Sequence, residues 1–237
     1  MNIYFDASKS GWKSYLSLII KLCKDYNYTK ICDIGGGANP YFSPDLIKEH
    51  NFDYHILDIS ETELEKTPSF YQNKILMDIS SPAINYNHQY QLMFSKMLAE
   101  HIADAEQFHK NIYKLLDNGG ISVHFFPTLY SFPFFVNKIF PEKMTSYLLD
   151  IFTPRDKIQN AKFPAYYNWC KGPTNEQIKK FHNLGFKVLA YYGYFGHDKY
   201  YDKIPFIKKL HNLKSRLLIA NPIPMFTSYS IVVLQKP

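Results

Sequence analysis

The sequence predicts an α/β fold, in which a mostly parallel sheet carries helices on both of its faces. Short apolar runs alternate with segments whose apolar residues recur at helical spacing, and this rhythm is typical of right-handed strand–helix–strand crossovers. Glycine and proline lie between these segments, where turns and helix ends are expected. We expect seven strands, with the last two forming an antiparallel pair at the sheet edge.

Each expected element follows from a local pattern. The apolar runs predict strands over residues 30–34, 53–57, 74–77, 90–94, 121–126, 186–192 and 228–234. Helical spacing and end signals predict helices over residues 13–25, 44–50, 105–116, 174–184 and 204–218. Ser43 is an expected N-cap before Pro44, and Ser60 and Thr174 have the spacing of capping boxes. Residues 118–120, Asn-Gly-Gly, are expected to end the helix before them.

Composition is typical of a single domain in a reducing compartment. The chain of 237 residues has no break in composition, so we expect one domain over residues 1–237. Its three cysteines are an odd number without metal-binding spacing, which predicts neither disulfides nor a metal site. No run of 18 apolar residues occurs, so we expect a cytoplasmic protein without a membrane span.

The formal net charge of +6 is concentrated near the carboxyl end of the sequence. Residues 203–237 contain six Lys or Arg and no Asp or Glu. This distribution is unlike that of a nucleic-acid-binding face, so no nucleic-acid partner is expected. Residues 204–218 form an amphipathic pattern, which either packs on the domain or contacts anionic lipid or a phosphorylated carrier. Its apolar side is expected to hold Phe206, Ile207, Leu210, Leu213, Leu217 and Leu218.

A glycine-rich turn follows the first predicted strand in the segment KICDIGGGANPYFSPD, residues 30–45. Such a turn lies at the carboxyl edge of a parallel sheet, where ligands bind, and bare backbone lets a ligand approach closely. The dinucleotide-binding fingerprint has a third glycine at the position that Pro40 occupies here. In that fingerprint the helix begins at the glycines, whereas here the next helix is expected to begin only at Pro44. The pattern therefore disfavours a nicotinamide cofactor.

The segment Asp33-Ile34-Gly35-Gly36-Gly37-Ala38-Asn39 resembles motif I of the class I S-adenosylmethionine-dependent methyltransferases, and the whole set of motifs is similar to the type 11 group. The resemblance implies a Rossmann-like sheet. It also implies that the turn, formed by Gly35, Gly36, Gly37 and Asn39, passes under the methionine part of the cofactor. Asp33 is then expected to position that turn.

The other landmarks of this family follow in order. Asp58 with Ile59 matches the place of the acid that binds the ribose hydroxyls, a role that suits a carboxylate with two acceptor oxygens. Asp78 and Ile79 resemble the residues that bond the adenine amino group and pack on its ring. Ser95 belongs to a segment, residues 94–102, that resembles the floor of the cofactor pocket. Residues 115–120 resemble the entrance to the next strand.

The resemblance also implies a division of labour along the chain. Residues 28–127 are the expected cofactor-binding core, residues 128–173 an aromatic lid over the substrate, and residues 174–237 the last helices and strands. Tyr166 and Tyr167 lie in an unusual stretch of that lid, residues 163–173. Their hydroxyls are expected to orient an acceptor, although a packed lid without ligand contact explains them equally well.

These residues together predict an S-adenosylmethionine-dependent methyltransferase that acts on oxygen of a small molecule or a glycan. His124, near the carboxyl end of its strand, is the expected general base; the alternative is a hydrogen-bonded core histidine. A lipid-linked or nucleotide-linked acceptor is in keeping with the basic helix, and polysaccharide biosynthesis is the expected setting by analogy. An atypical transfer with the same cofactor, or a non-catalytic subunit that retains the pocket, remains an alternative.

Overall fold

The structure is a computed structural model that describes residues 1–129 and 164–237 of the chain. Most of the predicted lid, residues 130–163, lies outside the described residues. The division of the chain into core, lid and carboxyl-terminal part therefore stays a prediction.

The described residues form one sheet of eight strands, and all seven predicted strands belong to it. The strands are β1 (Asn2–Ala7), β2 (Lys30–Ile34), β3 (Asp53–Asp58), β4 (Asn73–Leu76), β5 (Tyr90–Lys96), β6 (Leu116–Pro127), β7 (Lys187–Phe195) and β8 (Tyr229–Gln235). Their order across the sheet is β1-β7-β8-β6-β5-β2-β3-β4. Every neighbouring pair is parallel except the two pairs that include β8. The predicted Rossmann-like α/β class is confirmed.

The position of the antiparallel strand differs from the prediction. The strand β8 lies inside the sheet, between β6 and β7, because β1 covers the outer side of β7. The strand β1 was not predicted. Most of its side chains are exposed, so it lacks the buried apolar run that marks the other strands. Its pairing with β7 joins residues that are far apart in the chain, and local sequence does not reveal such pairing.

Six α-helices surround the described sheet: α1 (Ser8–Tyr26), α2 (Pro44–His50), α3 (Glu61–Lys66), α4 (Ala105–Leu115), α5 (Asn175–Asn183) and α6 (Pro205–Ala220). The predicted caps are present. The side chains of Ser43, Ser60 and Thr174 each accept a hydrogen bond from the backbone N–H three residues later. These bonds satisfy amide groups that the first turn of a helix leaves unpaired.

The prediction that Asn118, Gly119 and Gly120 end a helix is wrong. Helix α4 ends at Leu115, and the three residues belong to β6. Two bonds account for this difference: the Gly119 N–H donates to the Lys236 carbonyl over 2.8 Å, and the Tyr28 hydroxyl donates to the Gly119 carbonyl over 2.6 Å. These two bonds therefore hold Gly119 in the sheet and not at the end of a helix.

The two faces of the sheet are covered by different helices, as the sequence predicts. On β6, Phe125 packs against Tyr15 of α1, whereas the preceding residue His124 packs against Phe108 of α4. Because successive side chains of a strand point to opposite faces, these two contacts place α1 and α4 on opposite sides. The core between sheet and helices contains large aromatic side chains, including Tyr15, Phe94 and Phe108.

Helix α6 packs with its polar side toward the protein. Its buried residues are His211 and Ser215, whereas the predicted apolar side is exposed: Phe206 is 72% exposed, Leu213 56% and Leu217 59%. We call Phe206, Leu210, Leu213 and Leu217 the apolar stripe. Within the described ranges, no helix has the length and apolar character needed to cross a membrane.

Candidate active site

The glycine turn lies at the carboxyl end of β2, where the order of the strands changes direction. From β2 the chain proceeds to β3 and β4 on one side, and β5 and β6 lie on the other side. Open α/β sheets bind ligands at this switch point. Sheet register places three residues at one level on the rim, namely Gly35 after β2, Asp58 at the end of β3 and Lys96 at the end of β5.

Each glycine of the turn occupies a position without space for a side chain. A Cβ on Gly36 would lie 2.8 Å from Asp33 Oδ2, and one on Gly37 would lie 2.7 Å from Asp58 Oδ2. At Gly35, which has a φ of +80°, a Cβ would lie 2.9 Å from Leu98 Cδ1. The glycines therefore allow the turn to approach two carboxylates and a leucine closely. This close packing explains the glycines independently of the expected ligand.

Asp33 holds the backbone that follows the turn. Its buried carboxylate accepts hydrogen bonds from the Tyr41 N–H over 2.8 Å and from the Tyr54 hydroxyl. Burial raises the pKa of Asp33 to about 6, and the two hydrogen bonds act in the opposite direction. The carboxylate thus links the end of β2 to residue 41, on the far side of the turn, and its role in positioning the turn for a cofactor stays a prediction.

Asp58 faces the turn from the neighbouring strand. Its Oδ1 accepts the Ser60 N–H over 2.9 Å, while Oδ2 lies beside Gly37. Burial raises the pKa of Asp58, and the Ser60 N–H bond partly offsets this effect. The next residue, Ile59, is 61% exposed, so a ligand can reach its side chain.

The predicted adenine residues are split between surface and core. Asp78 is exposed, and its Oδ1 accepts bonds from the N–H and the hydroxyl of Ser80. It is adjacent to the Asp58 strand, because the Met77 N–H donates to the Asp58 carbonyl over 2.9 Å. The Ile79 side chain is buried, and its carbonyl accepts a bond from the side chain of Asn111.

Two other predicted cofactor residues have structural contacts. The Asn39 N–H donates to the Gly36 carbonyl over 2.9 Å and so closes the glycine turn, while its side chain belongs to an exposed residue. Ser95 is fully buried, and its Oγ lies 2.8 Å from His124 Nδ1. A ligand bound at the glycine turn could therefore contact the Asn39 side chain, whereas the Ser95 side chain is not accessible from the surface.

His124 lies in the core next to the rim. It is fully buried, its ring contacts those of Phe108 and His109, and its Nε2 has no hydrogen-bond partner among the described residues. Burial lowers the pKa of His124 to about 3, so the imidazole is neutral at pH 7. The structure supports the alternative of a hydrogen-bonded core histidine, and the role of general base stays a prediction.

Tyr166 and Tyr167 are attached to the rim by their backbone. Both N–H groups donate to the Glu100 carbonyl, over 2.7 and 3.0 Å. Tyr166 is 41% exposed, whereas Tyr167 is buried and has a φ of +54°, which is unfavourable for a tyrosine. The Asn168 side chain donates to the Ala103 carbonyl over 2.7 Å and extends this attachment.

Two charged residues of the rim, Lys96 and Glu100, belong to the segment that resembles the pocket floor, residues 94–102, but neither is among the predicted cofactor or catalytic residues. Lys96 lies with its Nζ 4.4 Å from the centroid of the Tyr41 ring, and burial lowers its pKa while Asp33 opposes this shift. Glu100 is buried, its Oε2 has no hydrogen-bond partner in the described part of the chain, and burial raises its pKa to about 8. A carboxyl group of this kind is characteristic of functional sites. The sequence does contain a signal for Lys96: it is the last residue of β5, as Asp58 is the last residue of β3, and both strand ends lie at the rim.

Two cavities lie near these residues. One of about 420 Å³ is next to the start of α4 and is lined by residues that include Asp104, Trp169 and Lys180. The other, of about 250 Å³, is lined by residues that include Asp78 and Tyr86. The glycine turn lines neither of these clefts, and of the predicted cofactor residues Asp78 lines the second one.

Comparison with solved structures places the fold among S-adenosylmethionine-dependent methyltransferases. One such enzyme from Clostridium acetobutylicum shares 13% identity and a TM-score of 0.55, covering 94% of this chain and 91% of its own. Another from Mesorhizobium loti shares 15% identity and a TM-score of 0.51, covering 87% and 90%. Magnesium protoporphyrin IX methyltransferase from Synechocystis, solved with S-adenosylmethionine, shares 12% identity and a TM-score of 0.52, covering 95% and 79%.

At these identities the likeness concerns the fold: the chain has the class I methyltransferase fold. No protein-family model matches the sequence, and no curated protein matches it. Membership of the type 11 group therefore stays a prediction.

Proposed function

We propose that this protein is an S-adenosylmethionine-dependent methyltransferase that acts on oxygen of a small molecule or a glycan. The observation that carries the proposal is the glycine turn at the switch point, closely approached by Asp58. The donor set fits the cofactor, since the Asp58 carboxylate and the backbone of the turn can accept and donate hydrogen bonds to a ribose and an amino acid group. Solved enzymes of the same fold contain S-adenosylmethionine or its demethylated product, S-adenosylhomocysteine.

Bound S-adenosylmethionine supplies a methyl group on a positively charged sulfur, which an acceptor oxygen attacks in line. The chain contributes position and charge. The backbone of residues 35–39 would lie under the methionine part, Asp58 would accept the ribose hydroxyls, and Ile59 and Asp78 would contact the adenine. Holding both reactants in one geometry is the main contribution that a protein makes to such a displacement.

Proton removal from the acceptor is assigned to one of two residues. His124 carries a lone pair at neutral pH, but an acceptor must reach Nε2 past Phe108. Glu100 lies next to the attached tyrosines; burial raises its pKa to about 8, so it would act as the base only in the fraction of molecules that have lost this proton, a fraction that grows as the pH rises toward 8. Tyr166 and Tyr167 would orient the acceptor at the rim.

The apolar stripe of α6 supports a lipid-linked acceptor presented at a membrane surface. Its leucines point away from the protein, and Lys209, Lys214 and Arg216 are exposed on the same helix. Apolar side chains flanked by cations match the interface of an anionic bilayer. A second copy of this helix fits less well, because no Asp or Glu occurs between residues 203 and 237 to pair with those cations. The three unpaired cysteines are in keeping with a cytoplasmic location.

Isothermal titration tests the cofactor. We expect S-adenosylmethionine to bind with micromolar affinity, and Asp58→Asn to weaken binding at least about tenfold because a carboxylate–diol contact is lost. Asp45→Asn, at an exposed position of α2, is the matched control and should bind normally. Binding of a nicotinamide cofactor in place of S-adenosylmethionine would refute the assignment of the turn.

Labelled methyl donor, incubated with pools of candidate acceptors, tests the reaction. A mass gain of about one CH₂ in the labelled product is expected for methylation. A different mass would identify an atypical transfer, and cofactor binding without any labelled product would favour a non-catalytic subunit. Because lipid-linked and nucleotide-linked glycans are separate pools, the same experiment distinguishes these acceptors.

Sedimentation with vesicles tests the membrane contact. We expect binding to vesicles of phosphatidylglycerol and phosphatidylcholine but not to phosphatidylcholine alone, and loss of binding in the double variant Leu213→Gln with Leu217→Gln. Leu16→Gln, at an exposed position of α1, is the matched control. Equal binding of the double variant would refute the contact, and dimers that dissociate in that variant would identify an interface between copies.

A further inference from the structure

A second cluster of reactive side chains lies at the amino edge of the sheet, at the opposite end of the strands from the glycine turn. Asp53 is the first residue of β3, and His55 follows on the same face of that strand. His88 lies in the connection between β4 and β5. One side-chain ligand atom from each of these three residues lies within 4.8 Å of the others.

The contacts inside the cluster leave one nitrogen unused. Asp53 Oδ1 lies 2.9 Å from His55 Nε2, and the rings of His55 and His88 stack with centroids 4.7 Å apart. His88 Nε2 is buried and has no hydrogen-bond partner in the ranges that the structure describes. A buried polar atom without a partner is costly, so it calls for a ligand.

We propose that Asp53, His55 and His88 form a binding site for one divalent transition-metal ion of the zinc type. Two imidazoles and one carboxylate are ligands that zinc, cobalt and nickel prefer, whereas magnesium and calcium prefer oxygen ligands alone. Ligand atoms around a tetrahedral ion lie about 3.4 Å apart. The observed separations bracket that spacing, since Asp53 Oδ1 and His55 Nε2 lie 2.9 Å apart and the His88 ligand atom lies within 4.8 Å of the other two. His88 lies outside regular secondary structure.

Neighbouring side chains orient the proposed ligands. His55 Nδ1 lies 3.2 Å from the Tyr90 hydroxyl, and the Asn73 side chain donates to Asp53 Oδ1 over 3.2 Å. With a metal on Nε2, His55 would carry its ring proton on Nδ1 and donate it to the Tyr90 oxygen, and Asp53 Oδ1 would bind the metal in place of that nitrogen. Such outer contacts fix the ring and its tautomer. Lys30 is opposite Asp53 in the register of β2 and β3. Its positive charge would repel the cation, and the negative charge of the Asp53 carboxylate offsets this repulsion.

The ion would fasten the connection between β4 and β5 to the sheet. That connection, residues 77–89, carries Asp78 and Ile79 near its start at the carboxyl rim and reaches His88 at the amino edge. A metal bound to His88 and to β3 would therefore hold the far end of the segment that carries the predicted adenine residues. The site is separate from the proposed methyl transfer and is tested without it.

Titration of the chelator-treated full chain with zinc chloride tests the site. We expect one equivalent to bind with micromolar affinity or better, and His88→Asn and Asp53→Asn to weaken binding at least about tenfold. His182→Asn, at an exposed position after the middle of α5, is the matched control and should bind normally. Zinc should also raise the melting temperature of the wild type more than that of His88→Asn, and millimolar magnesium should not compete.

Cobalt chloride provides an independent signature. A four-coordinate cobalt site with nitrogen and oxygen ligands absorbs visible light more strongly than the hydrated ion, and we expect this band in the wild type but not in His88→Asn. Absence of saturable zinc binding, or binding by His88→Asn equal to that of the wild type, would overturn the proposal. Neither result depends on S-adenosylmethionine, so failure of this site and failure of the proposed function are distinguishable.

Discussion

Replacement of Glu100 by Gln should remove a pH dependence of stability that the buried carboxyl group creates. Glu100 is 5% exposed, and its Oε2 has no hydrogen-bond partner in the described residues. Burial raises the pKa of its carboxyl group from 4.5 to about 8. The folded protein therefore keeps a proton that the unfolded chain releases above pH 4.5.

The sign and size of the effect follow from linkage. The stabilising contribution of the neutral carboxyl group is complete below pH 4.5 and is lost as the pH rises toward 8, since the folded state binds more protons over that window. Each pH unit in the window changes the free energy of unfolding by about 1.4 kcal/mol. Between pH 5 and pH 7, the wild type should lose about 2–3 kcal/mol relative to Glu100→Gln.

Urea unfolding at pH 5, 6 and 7 measures this difference. Subtraction of the Glu100→Gln curve from that of the wild type cancels the titrating groups that do not contact residue 100; His101, whose Nε2 lies 3.7 Å from Glu100 Oε1, does contact it. Glu65→Gln, at an exposed position of α3, is the matched control, and its difference from the wild type should stay flat. A difference for Glu100→Gln that stays constant or rises with pH would show that a cation partners the carboxylate, and the reasoning would be refuted.

Three further substitutions test the rim and its support. Gly37→Ala should weaken S-adenosylmethionine binding at least about tenfold, because the new Cβ would lie 2.7 Å from Asp58 Oδ2; Gly119→Ala, also at positive φ but with open space around it, should bind normally in the same titration. His124→Gln should lower kcat about 10²-fold with unchanged cofactor affinity if His124 is the base, and an unchanged rate would remove that role. Tyr15→Phe should cost about 1–3 kcal/mol in urea unfolding, since its buried hydroxyl donates to the Ser95 carbonyl over 2.7 Å; no loss would refute this.

The sequence was sufficient for those elements whose signals are local. Strands β2, β3 and β5 are buried apolar runs, and their observed ends lie within two residues of the predicted ones. Helix α2 starts at Pro44 as its cap predicts. The glycine turn and Asp58 were predicted for the same reason, because the end of a strand and the residues after it can be read directly from the chain.

Features that depend on distant residues could not be predicted. The pairing of β1 with β7, the closeness of His88 to His55, and the burial of Glu100 all arise from tertiary contacts. Helix α6 illustrates the limit well. A helical wheel separates its two sides correctly but does not tell which one meets the protein, and here the side with His211 does.

The interior place of β8 has a consequence for synthesis. Because β8 is the last of the described strands to leave the ribosome and bonds both β6 and β7, those two strands have no neighbour on that side until residue 235 has emerged. A nascent chain halted before residue 229 would present two open edges, which are templates for aggregation. Production of this protein should therefore be unusually sensitive to premature termination and to slow release.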